Sequence, residues 1–500
     1  MRLVFGLLVA VGMALVSRES AGAENGTNVT LLLQPSKSPL VTFRILFNTG
    51  AAHDPGGKEG LAALTAAMVA EGGSQRLSYE EIIKRMYPLA TSFGWQVDKE
   101  MTVFTGSTHV DNLQKYYNLI REMLLTPGFR EEDFSRLRTD ALNYIKVSLR
   151  ETNDEELGKE RLYNVIYTNH PYGHHNIGRV STLERLSTNE VARFYRSNYT
   201  RANLVIGVAG GFPENFAEQL RKDFAALPTG ETRTEKFKQA EAEEGMRIDI
   251  VQRDTRSTAI SMGFPIEVNR AHPDFAALKL VESYLGQHRS SNSHLYQRLR
   301  EARGLNYGNY AYIEYFPRGM YQFQPDPNLA RQQQIFQIWL RPVPPEQGVF
   351  TLRAALFEYN KLVSDGISEE AFAATREFLT KFVDVLLQTQ SASLGYALDS
   401  RYYGIPQYSD YLKGELAKLT REKVNAAIKR HLQANKMRVV MVTKDAEALK
   451  EAIASGKPSP ITYNSPKPEE ILAEDKVIEK YEIPTKAEWI TVTPVTTVFN

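Results

Sequence analysis

Between residues 41 and 55 the chain reads VTFRILFNTGAAHDP, with Val41, Phe43, Ile45 and Phe47 alternating with smaller or polar residues before a turn-rich stretch. A period of two puts alternate side chains on one face, so this pattern predicts a half-buried β-strand. The stretch GLAALTAAMVAEGG (60–73) then predicts a helix bounded by glycines, with Ala63, Ala66 and Ala67 along one side of it. Residues 257–286, STAISMGFPIEVNRAHPDFAALKLVESYLG, repeat the order of alternating strand, turn with Pro273 and amphipathic helix, and Phe264 stands 217 residues after Phe47. A second pair is sharper. LSTNEVARFYRSNYTRANLVIGVAG from Leu186 is similar to LTREKVNAAIKRHLQANKMRVVMVTK from Leu419, at an offset of 233. Each is a hydroxyl-capped helix, a basic polar turn and a β-branched strand. Related offsets at both ends of a unit indicate one fold of about 200 residues duplicated in tandem.

The boundaries follow from where the pattern stops. PTGETRTEKFKQAEAEEGM (228–246) is polar and almost free of large apolar residues, which marks an exposed connection between a unit at 24–227 and one at 247–455. Residues 456–500 lie beyond the repeat and predict an extended tail whose last residues alternate as a strand. At the other end, Arg2, an apolar run from Leu3 to Val16 and the small-x-small triplet Ala21-Gly22-Ala23 predict a signal peptide at 1–23. The expected location is therefore periplasmic or secreted.

Composition narrows the chemistry. Sixty basic and 59 acidic residues leave a net charge of +1, so no overall field would draw the chain onto nucleic acid. Zero cysteines exclude a disulfide frame, a thiolate metal site and a thiol nucleophile. No stretch after residue 23 approaches the roughly 20 apolar residues of a spanning helix, so no transmembrane segment is expected in the mature chain. Sequons at Asn25, Asn28 and Asn198 are short matches that arise by chance. His170, His174 and His175 cluster in HPYGHH, but their spacing in a Pro- and Gly-broken loop predicts surface or turn histidines.

The order strand, Asp-Pro-Gly-Gly turn, Gly60, helix, Glu71-Gly72-Gly73 resembles the insulinase and pitrilysin family, the inverted zincins. HPYGHHNIG (170–178) and FYRSNYTRANLVIGVAG (194–210) are similar to further segments of that family. The resemblance implies an α+β fold of two tandem homologous α/β domains, each a mainly antiparallel sheet covered by helices. It also implies a zinc helix carrying His-x-x-Glu-His, where two imidazoles four residues apart reach one metal and the glutamate activates its water. The matching positions here are Ala63, Ala66 and Ala67, and the later glutamate ligand of the family matches Tyr144. Methyl groups offer no lone pair, so no metal and no cofactor is expected on this chain. As a plain helix, GLAALTAAM is also a good former that lets neighbours approach closely.

SHLYQRLREARGLNYGNYAYIEY (293–315) predicts a helix with Leu295, Leu299 and Ala302 on one face, a stop at Gly304 and an alternating strand. It resembles the family's Leu-Arg-Glu-x-x-Gly-Leu-x-Tyr motif, which assigns Arg300 and Tyr307 to substrate and transition-state contacts. A phenol O–H and a guanidinium suit an oxygen that gains negative charge when hydroxide adds to a peptide carbonyl. A charged helix face and a strand-end core aromatic remain open as the plainer reading. Missing ligands beside a kept Arg–Tyr pair resemble the zinc-free subunit of heterodimeric family members. That implies a partner bearing His-x-x-Glu-His and its zinc, a peptide or unfolded-protein substrate, and a chain inactive alone. The alternative is a catalytically inactive peptidase-like scaffold or peptide-binding protein. GQHRSSNSH (286–294) replaces a long glycine-rich loop of a related processing peptidase, with His288 and Arg289 as possible substrate contacts or a solvated turn.

Overall fold

The computed structural model describes residues 29–241 and 243–500, so the expected signal peptide, Asn25 and Asn28 lie outside the described residues. Five strands form the N-terminal sheet: β1 (Thr30–Pro35), β2 (Leu40–Phe47), β3 (Ser92–Val97), β4 (Thr102–His109) and β5 (Leu204–Gly210), in the order β1-β5-β2-β4-β3. The C-terminal sheet repeats that order with β6 (Arg247–Gln252), β7 (Thr258–Ile266), β8 (Asn309–Tyr312), β9 (Gln334–Val343) and β10 (Arg438–Thr443) arranged as β6-β10-β7-β9-β8. A further strand, β11 (Ile490–Pro494), adds outside β6. β1–β5, β6–β10 and β6–β11 pair in parallel, and the other pairs are antiparallel. The fold is α+β, one sheet-and-helix unit used twice.

The repeat extends into the first helix of each half. LAAL opens the alanine helix Leu61–Glu71 where FAAL opens the helix Phe275–Gly286, and each run ends on a glycine, Gly72 and Gly286. Gly60 begins the alanine helix at φ +103°, a backbone conformation that suits glycine, and a Cβ there would come within 2.5 Å of the Ile177 carbonyl oxygen. The Asp54 carboxylate accepts the N–H groups of Gly60 and Ala62, both at 2.7 Å, satisfying donors that the helix start leaves free.

Each half lends one helix to the other. Asp154–Ile166, from the N-terminal half, lies on β7 and β10 of the C-terminal sheet, where Leu157 shares a core with Ala259, Val440 and Val442. Gln390–Tyr403, from the C-terminal half, lies on β2 and β5, where Leu398 joins Leu46, Val103 and Val205. Glycine allows a close approach in the second helix, where a Cβ on Gly395 would stand 3.1 Å from Arg44 Cζ of β2 and 2.4 Å from Pro327 Cγ, whereas one on Gly158 would make an ordinary 3.5 Å contact with Ser261 Oγ.

This exchange corrects the half-buried reading of β2, whose residues from Val41 to Phe47 are all buried. Its polar positions face the borrowed helix instead of water. Arg44 donates to Asn328 Oδ1 at 2.8 Å and to the Ser391 carbonyl at 2.9 Å, and Gln390 Nε2 donates to Thr42 Oγ1 at 2.8 Å. Buried polar groups cost little only when paired in this way. The halves are also joined by a buried ion pair in which Arg331 grips both oxygens of Asp98 at 2.5 and 2.7 Å, its guanidinium 3.8 Å from the Tyr315 ring centre.

The described residues of 228–246 form no helix or strand, yet Phe237 packs 5.5 Å from the ring of Tyr172 and Ala240 N–H donates to Gln333 Oε1 at 3.0 Å. The tail is not extended throughout, as it contains the helix Glu469–Ile478, which buries Ile471 and Ile478 behind an acidic first turn. Past β11, Val498 and Phe499 enter the N-terminal core, where Arg150 Nε donates to the Val498 carbonyl at 2.7 Å and Val180 N–H to that of Phe499 at 2.9 Å. Among the described residues no helix is long and apolar enough to cross a membrane.

Candidate functional site

The alanine helix is buried from Leu61 to Ala70, and Ala63, Ala66 and Ala67 are all inside. It packs against β3 and against the helix Glu131–Asn143, which runs on into a π-helical segment, Tyr144–Leu149. Tyr144 therefore lies at the start of a widened turn, with its ring 5.6 Å from that of His175. The ring of Phe499 meets the same imidazole at 5.4 Å. Aromatic packing thus occupies the neighbourhood of Tyr144. Burial first, and then the charges of Glu160 and Glu156, push the Tyr144 phenol well above its usual range and hold it protonated. Three methyl groups and a protonated phenol do not fit a zinc ion, which takes lone pairs from imidazole, carboxylate or thiolate.

His174 and His175 lie in a turn-rich loop as expected, but they are buried and not at the surface. The loop folds inward because its polar groups find partners there. His175 Nδ1 accepts the Ile177 N–H at 3.0 Å, and its Nε2 lies 3.8 Å from Glu160 Oε2. His174 Nε2 is 3.2 Å from Asp54 Oδ2, while Lys99 Nζ donates to the His174 carbonyl. Burial and the nearby Lys99 lower His175 to about 3, leaving it neutral at physiological pH. Burial raises Asp54 to about 7, opposed by the N–H groups of Gly60 and Ala62. His170 is only partly enclosed, with Nε2 2.8 Å from the Lys238 carbonyl.

The Arg300–Tyr307 motif is built differently. Its helical part is π-helical over Tyr296–Glu301 instead of the expected regular helix, and it leads through Gly304 to β8, an edge strand. Three arginines occur in this stretch, and two are committed to carboxylates. Arg298 Nε donates to Glu358 Oε1 at 2.8 Å, and Arg303 Nε donates to Asp475 Oδ1 at 2.7 Å. Both also reach Glu474 of the tail helix. Arg300 instead stacks on Tyr296 at 4.6 Å and Tyr307 at 5.8 Å and donates one N–H to the Tyr307 carbonyl at 3.1 Å. Its nearest carboxylate is Glu301, at 3.9 Å. Tyr307 is 75 % exposed, so it is not a strand-end core aromatic. Two braced arginines thus hold a segment that presents a third one outward beside a free phenol. π-Helical segments are rare and concentrate at functional positions, and here both those found among the described residues fall on the two motif positions, Tyr144 and Arg300.

The sequence patterns gave no hint of a further cluster, His272, Asp274 and His431, whose ligand-type atoms lie within 4.8 Å of one another. Asp274 Oδ2 is already held by Arg430 and by His431 Nε2 at 2.7 Å, and His272 Nδ1 accepts the Asp274 N–H at 3.0 Å. That bond leaves the proton of a neutral His272 on Nε2, a tautomer unsuited to a metal there.

Two sheet-and-helix halves with an Arg–Tyr motif on the second define a peptidase-like scaffold. Family comparison agrees along most of the chain. The family model described as Insulinase (Peptidase family M16) matches residues 29–179, and the one described as Peptidase M16 inactive domain matches residues 185–379. The chain belongs to the insulinase, or M16, peptidase family. An uncharacterised zinc protease of Rickettsia bellii is 23% identical over 56% of this chain and 66% of its own, and a zinc protease of Helicobacter pylori is 22% identical over 57% and 66%. These matches thus span just under two-thirds of the relatives' length. A crystal structure of a peptidase M16 inactive domain from Pseudomonas fluorescens superposes with a TM-score of 0.74, at 22% identity, over 86% of this chain and 98% of that one. A chain of complex III2 from Candida albicans has the same fold, with a TM-score of 0.66 at 14% identity over 84% and 96%.

Proposed function

We propose that this chain is the non-zinc-binding subunit of a heterodimeric zinc peptidase, supplying Arg300 and Tyr307 in trans to a partner that carries His-x-x-Glu-His and the metal. The observation that carries the reading is the contrast within QRLREAR, where Arg298 and Arg303 are tied to acidic residues and Arg300 is held outward beside an exposed Tyr307. A scaffold has no use for a guanidinium and a phenol kept free side by side, whereas a carbonyl oxygen that becomes an oxyanion needs such donors. The substrate class is peptides or unfolded segments, and the leader-like residues 1–23 support action in the periplasm or outside the cell.

The test mixes the purified chain with a homologous subunit bearing His-x-x-Glu-His and follows cleavage of an unfolded polypeptide. The chain alone should hold no stoichiometric zinc and cleave nothing, and the mixture should turn over. Losing one oxyanion donor costs about 10²–10³-fold in kcat in a well-studied protease, so Tyr307→Phe and Arg300→Ala should each lower turnover on that order. If the mixture forms but the double variant cleaves as fast as wild type, the proposed role is wrong and the scaffold reading stands.

A further inference from the structure

The loop GQHRSSNSH is held against the segment Phe316–Phe323, and together they carry an aromatic and basic surface that the Arg–Tyr pair does not account for. His288 Nε2 lies 2.8 Å from the Gln322 carbonyl, and Arg289 Nη2 donates to the Met320 carbonyl at 2.5 Å. The Arg289 guanidinium lies 4.3 Å from the ring centre of Phe323, which is 71 % exposed. Tyr321 beside it is 70 % exposed. Large aromatics on the surface of a soluble protein mark places where something binds more often than places where nothing does.

Charge sharpens the identity of that occupant. Among the described residues Arg289 makes no ion pair, and Arg300 has only the distant Glu301. Each of the two spends one N–H on a backbone carbonyl, and the guanidinium lies over one aromatic ring for Arg289 and near two for Arg300, which leaves in-plane donors without a partner among the described residues. Both guanidinium charges act on Tyr310 of β8. The His288 ring, next to Arg289, is 4.7 Å from that of Tyr310 on β8, and Arg300 is bonded to the carbonyl of Tyr307 three residues before Tyr310. Other arginines nearby are neutralised, Arg318 by Asp326 and Arg341 by Glu155. A ring-backed guanidinium with free donors is the arrangement that suits a carboxylate next to an apolar side chain.

We propose that Arg289 and Phe323 form a subsite, continuous with Arg300 and Tyr307, for an acidic residue flanked by an apolar one in an extended peptide. This rests on the reading of the chain as a peptide-handling subunit and adds the charge of what it selects. The subsite discriminates by sign, since a lysine in the same place meets the cation of Arg289, which has no ion pair among the described residues.

The experiment uses the full chain and fluorescence anisotropy with a labelled unstructured peptide carrying glutamates beside phenylalanines, and a counterpart of equal length with lysines for the glutamates. The acidic peptide should bind about tenfold or more tighter, an advantage that shrinks as salt rises. Arg289→Ala should remove about tenfold of the acidic peptide's affinity and leave the lysine peptide no weaker, since a repelling cation is gone, Arg289→Lys should lose less, and Phe323→Ala should weaken the acidic peptide with Arg289 intact. Equal binding of the two peptides, or unchanged acidic binding in Arg289→Ala, overturns the proposal. So does loss of chain–chain association in Phe323→Ala with peptide binding intact, since the surface then serves a protein interface. Turnover that ignores Arg300 and Tyr307 while Arg289 still governs peptide affinity would strike down the catalytic reading alone.

Discussion

The two halves of this molecule begin their first helices almost identically and then diverge. LAALTAAM and FAALKLVE place Ala66 and Ala67 of the N-terminal half where Leu280 and Val281 stand in the C-terminal half. In the second helix those side chains fill the core of their own half, with Phe264 and Leu278. The first helix carries small side chains there, and the N-terminal core it belongs to takes in Val498 and Phe499 from the far end of the chain, with the Phe499 ring against His175. The two first helices therefore start alike and serve differently composed cores. Both halves take in distant segments, but the Arg300 and Tyr307 donors lie in the C-terminal half.

The largest test of that division is the cross-half ion pair. Removing one partner leaves a buried charge, so Asp98→Ala should cost about 3–5 kcal/mol in urea unfolding, whereas Asp98→Leu combined with Arg331→Met should recover much of it. If the single variant melts like wild type, the halves are not held together through this pair.

Next in size is the exchange of helices, which the two glycines treat unequally. Gly395→Val should cost about 3 kcal/mol by overpacking, since even a Cβ would stand 2.4 Å from Pro327 and 3.1 Å from Arg44 Cζ. Gly158→Ala, at ordinary contact distances, should change stability by less than about 1 kcal/mol and gain helix propensity. Equal losses at both positions would remove the asymmetry.

The smallest expected effect is on acid stability. His175 in the N-terminal half is lowered to about 3 and His288 in the C-terminal half to about 4, both chiefly by burial. A histidine depressed in the folded state binds its proton more readily when unfolded. Stability is thus complete above pH about 6.5 and is lost as pH falls toward those values. At pH 5 the loss from His175 should be about 2 kcal/mol. Asp54, raised to about 7, acts in the opposite direction between pH about 3.8 and 7, so the informative quantity is the difference between wild type and His175→Gln. A profile that His175→Gln does not flatten between pH 7 and 5 would place His175 in water.

Much of this architecture was legible from local pattern. The offsets of 217 and 233 marked elements that occupy matching places in the two sheets, because strand alternation and helix capping are written within short windows. What local pattern did not carry was which neighbour covers a face. Thr42 and Arg44 read as solvent-facing because they are polar, and they are buried because a helix made almost 350 residues later supplies their partners. HPYGHH read as a surface turn for a similar reason, since Asp54, which receives His174, lies 120 residues earlier, and Glu160, which faces His175, sits on the separate helix Asp154–Ile166. At the Arg–Tyr motif the residues were visible in the sequence, but the feature that sets Arg300 apart was not: the acids that take up Arg298 and Arg303 come from Glu358 and from the tail.

The exchanged helices also bear on how such a chain is made. A ribosome delivers Asp154–Ile166 well before the β7 and β10 strands it lies on, and the face of β2 and β5 that carries Thr42, Arg44, Leu46 and Val205 waits for Gln390–Tyr403. Domains generally fold as units during synthesis, the N-terminal one first. Here the first-made half emerges with an uncovered sheet and a helix without a seat, a nascent state that invites chaperone binding until nearly the whole polypeptide is out.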